Sequence, residues 1–150
     1  QAKTDCADGL TFAFVPGNWV NEVGAAGAGY GWQNLGGYAV AIDTFQNPGE
    51  PAVPFLALLD GVTNNTVTVL LRQAIPEVRN AQNHQLRVKL DGGKVSVWLD
   101  SVSYVFEYPL PGYVPFWGRW GFTAGTGGLT CAQYVRDATM SFPNGQGCVP

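Results

Sequence analysis

Residues that end regular structure break the chain at short intervals: it contains twenty glycines and ten prolines. Between them lie short runs rich in β-branched and aromatic residues, which favour strands, and helix signals are nearly absent. Short strands at this spacing predict an all-β sandwich or barrel. The predicted strands cover residues 10–15, 38–45, 55–59, 66–71, 85–90, 95–99, 104–108, 120–124 and 134–142.

The clearest short-range signal is a hairpin over residues 85–99. Apolar and polar residues alternate strictly in both arms, and the arms are joined by Asp91-Gly92-Gly93-Lys94. An Asp-Gly turn between alternating arms is typical of a β-hairpin. The 150-residue chain shows no repeat, linker or second predicted core, so we expect a single domain over residues 1–150.

Charge and hydropathy exclude two classes of partner. The net charge is −3 and the eight lysines and arginines are scattered singly, unlike the basic stripe of a nucleic-acid-binding protein. No apolar run approaches the roughly 18 to 20 residues of a membrane span.

The polar sequence Asn64-Asn65-Thr66 is an N-glycosylation acceptor, which favours a secreted glycoprotein.

Three cysteines, Cys6, Cys131 and Cys148, are too few for a disulfide scaffold and lack zinc-ligand spacing. We expect one disulfide and one unpaired cysteine. Sequence alone leaves two pairings open, Cys6–Cys131 and Cys131–Cys148. The odd cysteine could then bond to another chain.

The sequence argues against catalysis. The single histidine, His84, lies in a polar turn, and no nucleophile motif is present. A retaining glycosidase needs two carboxylates about 5 Å apart. Asp43 is the one acid within a strand of suitable pattern, but its same-face neighbours, Ala41 and Phe45, are not acidic. We therefore predict that the protein is not an enzyme.

Four segments resemble, in order, the motifs of the L-type lectins (legume lectins, concanavalin A and their bacterial and secretory-pathway relatives). Residues 8–14, DGLTFAF, resemble the family's DGLxF strand, and residues 27–31 resemble its glycine-rich loop. Residues 39–47 resemble VAVEFDTFxN, and residues 121–128 resemble the closing GFSAATG segment. The resemblance covers about residues 8–142 and implies an antiparallel β-sandwich of the concanavalin A-like jelly-roll type.

The resemblance also implies a shallow sugar site made of loops. Asp8 would accept hydrogen bonds from sugar hydroxyls, and Asn47 would donate its side-chain amide. Glycines would let a ligand approach the backbone, and an aromatic ring would stack on a sugar face. The predicted site residues are Asp8, Gly27, Gly29, Trp32, Asn47, Gly127 and Gly128, and Phe55 is a second stacking candidate. The alternative for Asp8 is an ordinary Asp-Gly turn.

In the family, calcium fixes this site. The corresponding ligands are Asp43, the carbonyl of Phe45, Asn47 and, displaced from the family position, Glu50; such all-oxygen ligation suits Ca²⁺. The alternative is that Asp43 caps a turn and Asn47 precedes an ordinary bend. The family's transition-metal ligands fall on Ala41 and near Phe55, so no transition metal is expected.

Family members usually carry another strand before the DGLxF segment, whereas residues 1–7 alone precede Asp8 in this sequence. The predicted strand at residues 134–142 would then present an open edge. A fragment, a trimmed topology, or a second chain supplying a strand or a disulfide would each explain this. We favour a processed or two-chain arrangement.

The sequence thus predicts a secreted, non-catalytic lectin that binds a glycan or glycoprotein. The alternative is a structural or adhesive extracellular protein with the same sandwich that has lost sugar binding. An aromatic cluster fits either a satellite core or a second contact surface for a partner. Its members are Tyr113, Phe116, Trp117 and Trp120.

Overall fold

The computed structural model describes residues 6–17, 23–61 and 67–142, which form eight strands and one short 3₁₀ turn at Gly27–Gly29. The prediction of an all-β chain is confirmed. Within these ranges no helix has the length and hydropathy to cross a bilayer. The strands are β1 (Gly9–Pro16), β2 (Tyr38–Asp43), β3 (Phe55–Asp60), β4 (Thr68–Ala74), β5 (Leu86–Asp91), β6 (Lys94–Leu99), β7 (Val102–Pro109) and β8 (Gly118–Gly125).

The strands form two antiparallel sheets that pack as a sandwich. A five-stranded sheet has the order β4-β3-β2-β1-β8, and a three-stranded sheet has the order β5-β6-β7. The chain leaves the larger sheet after β4, builds the smaller sheet as a meander, and returns to place β8 beside β1. The first and last strands therefore pair, with Gly9 opposite Gly125.

The predicted hairpin is confirmed as β5–β6, with Leu90 opposite Val95 and Asp91 opposite Lys94. Gly92 and Gly93 connect the arms with φ values of 53° and 79°. This left-handed conformation suits glycine and is what tight hairpin turns require.

The first core lies between the two sheets. Val40 and Leu58 of the larger sheet share one cluster with Val97 and Val105 of the smaller one, and all four are at most 3% exposed. In β2, β3, β5 and β6, alternate positions face this cluster, as the pleat of a strand requires. The other buried members are Tyr38, Leu56, Ile75, Val95, Leu99 and Leu110.

A second core covers the opposite face of the five-stranded sheet. Residues 24–37 lie over β2 and β3 and place Tyr30, Trp32 and Leu35 in a cluster with the small side chains of Ala39 and Ala41. Strands β2 and β3 are therefore buried on both faces. This explains why they read as nearly continuous apolar runs rather than as alternating ones.

The predicted strand at residues 134–142 is wrong, because these residues have no regular structure. Tyr134 and Phe142 are 87% and 47% exposed, so the segment's larger side chains find no core. Asp137 has a φ of 54°, a left-handed conformation that interrupts an extended chain. In the described residues β8, not this segment, is the last strand on that side of the sheet.

A disulfide joins Cys6 to Cys131, which settles the pairing that sequence left open. Cys6 lies just before β1 and Cys131 lies beyond β8. The bond therefore links the two chain segments that flank the β1–β8 pair. Cys148 and the acceptor Asn64 lie outside the described residues.

Truncating a side chain between the sheets should destabilise the fold strongly. We expect Leu58→Ala to lower the free energy of unfolding by about 2–5 kcal/mol, because it removes a side chain that is 1% exposed and leaves a cavity. Leu129→Ala, the same change at a leucine that is 40% exposed, is the control and should have a much smaller effect. Urea denaturation measures both, and equal effects would contradict the two-sheet core.

Removing the disulfide should lower stability as well. It links residues 125 positions apart, so its loss frees a long loop in the unfolded chain. We expect the double variant Cys6→Ser, Cys131→Ser to lose roughly 2–5 kcal/mol in chemical denaturation. Peptide mapping of the wild type without reduction should recover Cys6 linked to Cys131, and a Cys131–Cys148 peptide would refute the assignment.

Candidate functional site

Asp8 is held between strands from distant parts of the sequence. Its N–H donates to the carbonyl of Gly125 over 2.8 Å. Its own carbonyl accepts from the N–H and the hydroxyl of Thr44, over 2.9 and 3.1 Å. The backbone of Asp8 is thereby fixed at the junction of β1, β2 and β8.

The carboxylate of Asp8 is buried and incompletely satisfied. Asp8 is 6% exposed, and its Oδ2 accepts no hydrogen bond from the described residues. Burial, together with the nearby charge of Glu50, raises the pKa of Asp8 above its ordinary value. A buried charged acceptor without a donor is unfavourable, so a hydroxyl or N–H that reached this atom would stabilise it.

Two predicted glycines make room beside this carboxylate. A Cβ at Gly127 would lie 3.2 Å from Asp8 Oδ2, and a Cβ at Gly27 would lie 3.9 Å from it. A side chain at either position would therefore fill space next to the carboxylate. The fold brings together Asp8, Gly27 and Gly127, which are far apart in the sequence.

Three N–H groups of the predicted glycines donate hydrogen bonds within the protein. Gly29 lies in the 3₁₀ turn, where a Cβ would meet Ala25 and Gln33 at 3.0 Å, whereas a Cβ at Gly128 would meet nothing within 4 Å. Three of these N–H groups donate to carbonyls: Gly27 to Thr126, Gly29 to Ala26, and Gly127 to Leu129. These three glycines therefore contribute space and turn geometry rather than free donors.

Asp43 ends β2 beneath the 24–37 segment and is 0% exposed. Its Oδ2 accepts a hydrogen bond from the Tyr30 hydroxyl, and its Oδ1 accepts from the N–H of Phe45 at 2.9 Å. Burial raises the pKa of Asp43 to about 6; those two hydrogen bonds oppose the rise, and the charges of Glu50 and Asp8 add to it. Asp43 is thus a buried carboxylate with a donor on each oxygen.

Asn47, Glu50 and Arg72 form a second polar group beside Asp43. Glu50 Oε2 accepts from both the N–H and the side-chain amide of Asn47, at 2.9 and 3.0 Å. Its Oε1 pairs with Arg72 Nη2 at 3.3 Å. The amide that was predicted to face a sugar hydroxyl therefore donates to Glu50.

These contacts do not fit the calcium ligation that the resemblance implies. Both oxygens of Asp43 and both oxygens of Glu50 already have protein donors. Among the described residues, no group of three or more His, Cys, Asp and Glu side chains is placed to hold a metal ion. Calcium at Asp43, Phe45, Asn47 and Glu50 stays a prediction.

Neither predicted stacking residue presents its ring to solvent. Trp32 and Phe55 are each 1% exposed and belong to the core under the 24–37 segment. Trp32 Nε1 donates to the carbonyl of Gly36 at 3.1 Å. The sequence around each ring could not predict this burial, because both rings are enclosed only after residues 24–37 fold back over the sheet.

The predicted aromatic cluster divides between core and surface. The Tyr113 ring lies 6.0 Å from that of Tyr38 and packs against the core between the sheets. By contrast, Trp117 is 72% exposed and Trp120 is 42% exposed. Trp120 also lies on one face of β1 and β8 together with Phe12, at a ring distance of 6.2 Å.

Residues that sequence reasoning missed also support the site. Arg79 forms a two-point pair with Glu77, with N–O distances of 2.8 and 2.7 Å. It also donates to the carbonyl of Thr44 over 3.2 Å, and Thr44 in turn holds Asp8. Tyr30 and Arg72 were missed because their partners come from other segments. The motif that contains Tyr30 implied no role for its side chain, and Arg72 lies in no motif.

None of the protein-family models matches this chain, and no curated protein matches it either. The function is therefore argued from the geometry of the site and from the motif resemblance.

Acid should release the Glu77–Arg79 pair within a defined pH window. Hydrogen bonds from Arg79 lower the pKa of Glu77 from 4.5 to about 2. Because the folded-state pKa is the lower one, this carboxylate stabilises the fold above pH 4.5 and loses its contribution as the pH falls toward 2. We expect Glu77→Gln to lose less stability than the wild type over this window in urea unfolding.

Glu107→Gln is the control for removing a glutamate, since Glu107 is exposed and its pair with Lys94 spans 3.6 Å. It should leave the stability difference between pH 4.5 and 2 as in the wild type. A Glu77→Gln curve parallel to the wild-type curve would show that the pair does not anchor this segment.

Proposed function

We propose that this protein is a secreted, non-catalytic lectin of the concanavalin A-like jelly-roll type, which binds a glycan at Asp8. One observation carries the proposal. Asp8 Oδ2 is a buried carboxylate oxygen to which no described residue donates a hydrogen bond, and it lies next to space that is left by Gly27 and Gly127.

A sugar suits the chemistry of this position. Glycans present hydroxyl donors at close intervals, and a carboxylate accepts such hydrogen bonds more strongly than a neutral group does. The L-type lectin resemblance assigns the same role to Asp8. The two lines of argument are independent, because the burial of Oδ2 comes from the three-dimensional arrangement and the resemblance comes from motif order.

The carboxylates near Asp8 do not favour hydrolysis. The charge of Glu50 raises the pKa of Asp8, and the charges of Glu50 and Asp8 raise the pKa of Asp43, which a search along single strands did not anticipate. Yet Asp43 is fully buried and capped by Tyr30, and Glu50 is bound to Asn47 and Arg72. A glycosidase needs two carboxylates that both reach the sugar, so binding without cleavage is the simpler proposal.

The disulfide supports an extracellular location, since such bonds persist in oxidising compartments. The partner would be a free glycan or a glycoprotein. A second chain could pair with β8, which is the last described strand on its side of the sheet.

A structural or adhesive role is the second candidate. The N–H groups of Gly27, Gly29 and Gly127 and the amide of Asn47 already have acceptors within the protein, which reduces the donors left for a sugar. The exposed rings of Trp117 and Trp120 offer an apolar surface for a protein partner instead.

The two candidates predict different outcomes on a glycan array and in calorimetry. If Asp8 binds sugar, Asp8→Asn should weaken binding of the highest-signal array glycan by roughly tenfold or more, as expected for a lost hydrogen bond to a charged acceptor. Asp137→Asn is the matched control, because it makes the same change at a highly exposed aspartate.

The control should bind as the wild type does. Equal binding by the Asp8→Asn variant and the wild type would refute Asp8 as the site. A wild-type protein that binds no array glycan would favour the structural or adhesive role.

A further inference from the structure

Tyr30 has an unusual conformation for a large side chain. It follows the 3₁₀ turn with a φ of 53°, in the left-handed region that bulky residues seldom adopt. Its N–H donates to the carbonyl of Gly27 at 2.9 Å, and the residue is 7% exposed. Such a conformation persists only where surrounding contacts impose it.

The neighbouring strands are shaped to accept Tyr30. A Cβ at Gly9 in β1 would lie 3.1 Å from the Tyr30 ring. A Cβ at Gly125 in β8 would lie 2.9 Å from the Tyr30 Cα and 2.6 Å from the carbonyl oxygen of Gly27. These two glycines form a cross-strand pair, so the absence of side chains at one sheet position admits the whole turn.

The hydroxyl is the polar end of the Tyr30 side chain. It donates to Asp43 Oδ2. Burial and the Asp43 carboxylate raise the pKa of Tyr30 far above its ordinary value of 10, so the phenol keeps the proton it donates. Through this bond the 27–31 turn is tied to the end of β2, and the same turn places Gly27 beside Asp8.

We propose that Tyr30 is the positioning residue of the candidate site: its hydroxyl, rather than a bound cation, holds Asp43 and fixes the 27–31 turn beside Asp8. This inference rests on the proposed function for its role in binding, but the positioning itself can be measured without a ligand.

The hydrogen bonds around Asp43 support this assignment over a cation. Phe45 occupies the second oxygen of Asp43, and Asn47 and Arg72 occupy the oxygens of Glu50. A cation bound by these two carboxylates would have to compete with those donors. On the same face, Ala41 and Phe55 are buried and apolar, so they add no ligand.

The test compares Tyr30→Phe with Tyr38→Phe in the full chain. Tyr38 is the matched control: it is also buried, and its hydroxyl donates to the carbonyl of Pro111 at 3.2 Å on the other face of the same sheet. Amide hydrogen exchange of residues 24–33 and thermal unfolding are recorded for both variants and the wild type, in calcium chloride and in EGTA. The affinity for the highest-signal array glycan is measured alongside.

We expect Tyr30→Phe to speed exchange of the 24–33 amides roughly tenfold or more, as for loss of a buried hydrogen bond to a charged group, whereas Tyr38→Phe leaves them unchanged. Glycan affinity should fall only in Tyr30→Phe, and calcium should alter neither the exchange nor the melting temperature of the wild type.

Two results would overturn the proposal: equal exchange in the two variants, or a wild type whose 24–33 amides are protected and whose melting temperature rises on adding calcium. If the wild type binds no glycan, the proposed function fails, while the exchange comparison still tests whether Tyr30 positions the 27–31 turn.

Discussion

Burial of β2 and β3 on both faces is the constraint from which the rest of the structure follows. One face packs against the smaller sheet, and the other packs beneath residues 24–37. A strand enclosed in this way must be apolar along its length, so any polar residue at its end has to be satisfied by the segments that cover it. Asp43 at the end of β2 is such a residue, and the covering segment supplies Tyr30 to meet it.

The carboxylates of Asp8, Asp43 and Glu50 lie close together near the end of β2, and each has a different set of hydrogen-bond partners. Asp43 accepts hydrogen bonds from the Tyr30 hydroxyl and the Phe45 N–H. Glu50 accepts a hydrogen bond from the side-chain amide of Asn47 and forms an ion pair with Arg72. Asp8 alone keeps a buried oxygen to which no described residue donates. Desolvating an unpaired carboxylate opposes folding, which is why the proposed binding role falls on Asp8 rather than on Asp43 or Glu50.

Sequence reasoning succeeded where the signal was local and failed where it depended on a distant neighbour. Alternation and turn glycines predicted β5 and β6, and motif order predicted that Asp8 and Gly127 would lie close together, as they do. The apolar pattern of residues 134–142 suggested a strand, but it has no core to face. Trp32 was predicted to stack on a sugar, yet whether its ring is exposed depends on how residues 24–37 fold back over the sheet. Tyr30 lies inside the glycine-rich segment at residues 27–31, but that resemblance implied no role for its side chain.

The pairing of β1 with β8 has a kinetic consequence. Thr11 and Thr123 face each other across these strands with their hydroxyl oxygens 2.6 Å apart, although they are separated by 112 residues. Contacts of such long range form slowly, because a large loop must close before they contribute any stabilisation. Asp8 lies just before β1, and its N–H bonds to Gly125 of β8, so a chain in which these strands have not yet paired lacks the candidate site. Its ligand would therefore distinguish completed molecules from folding intermediates.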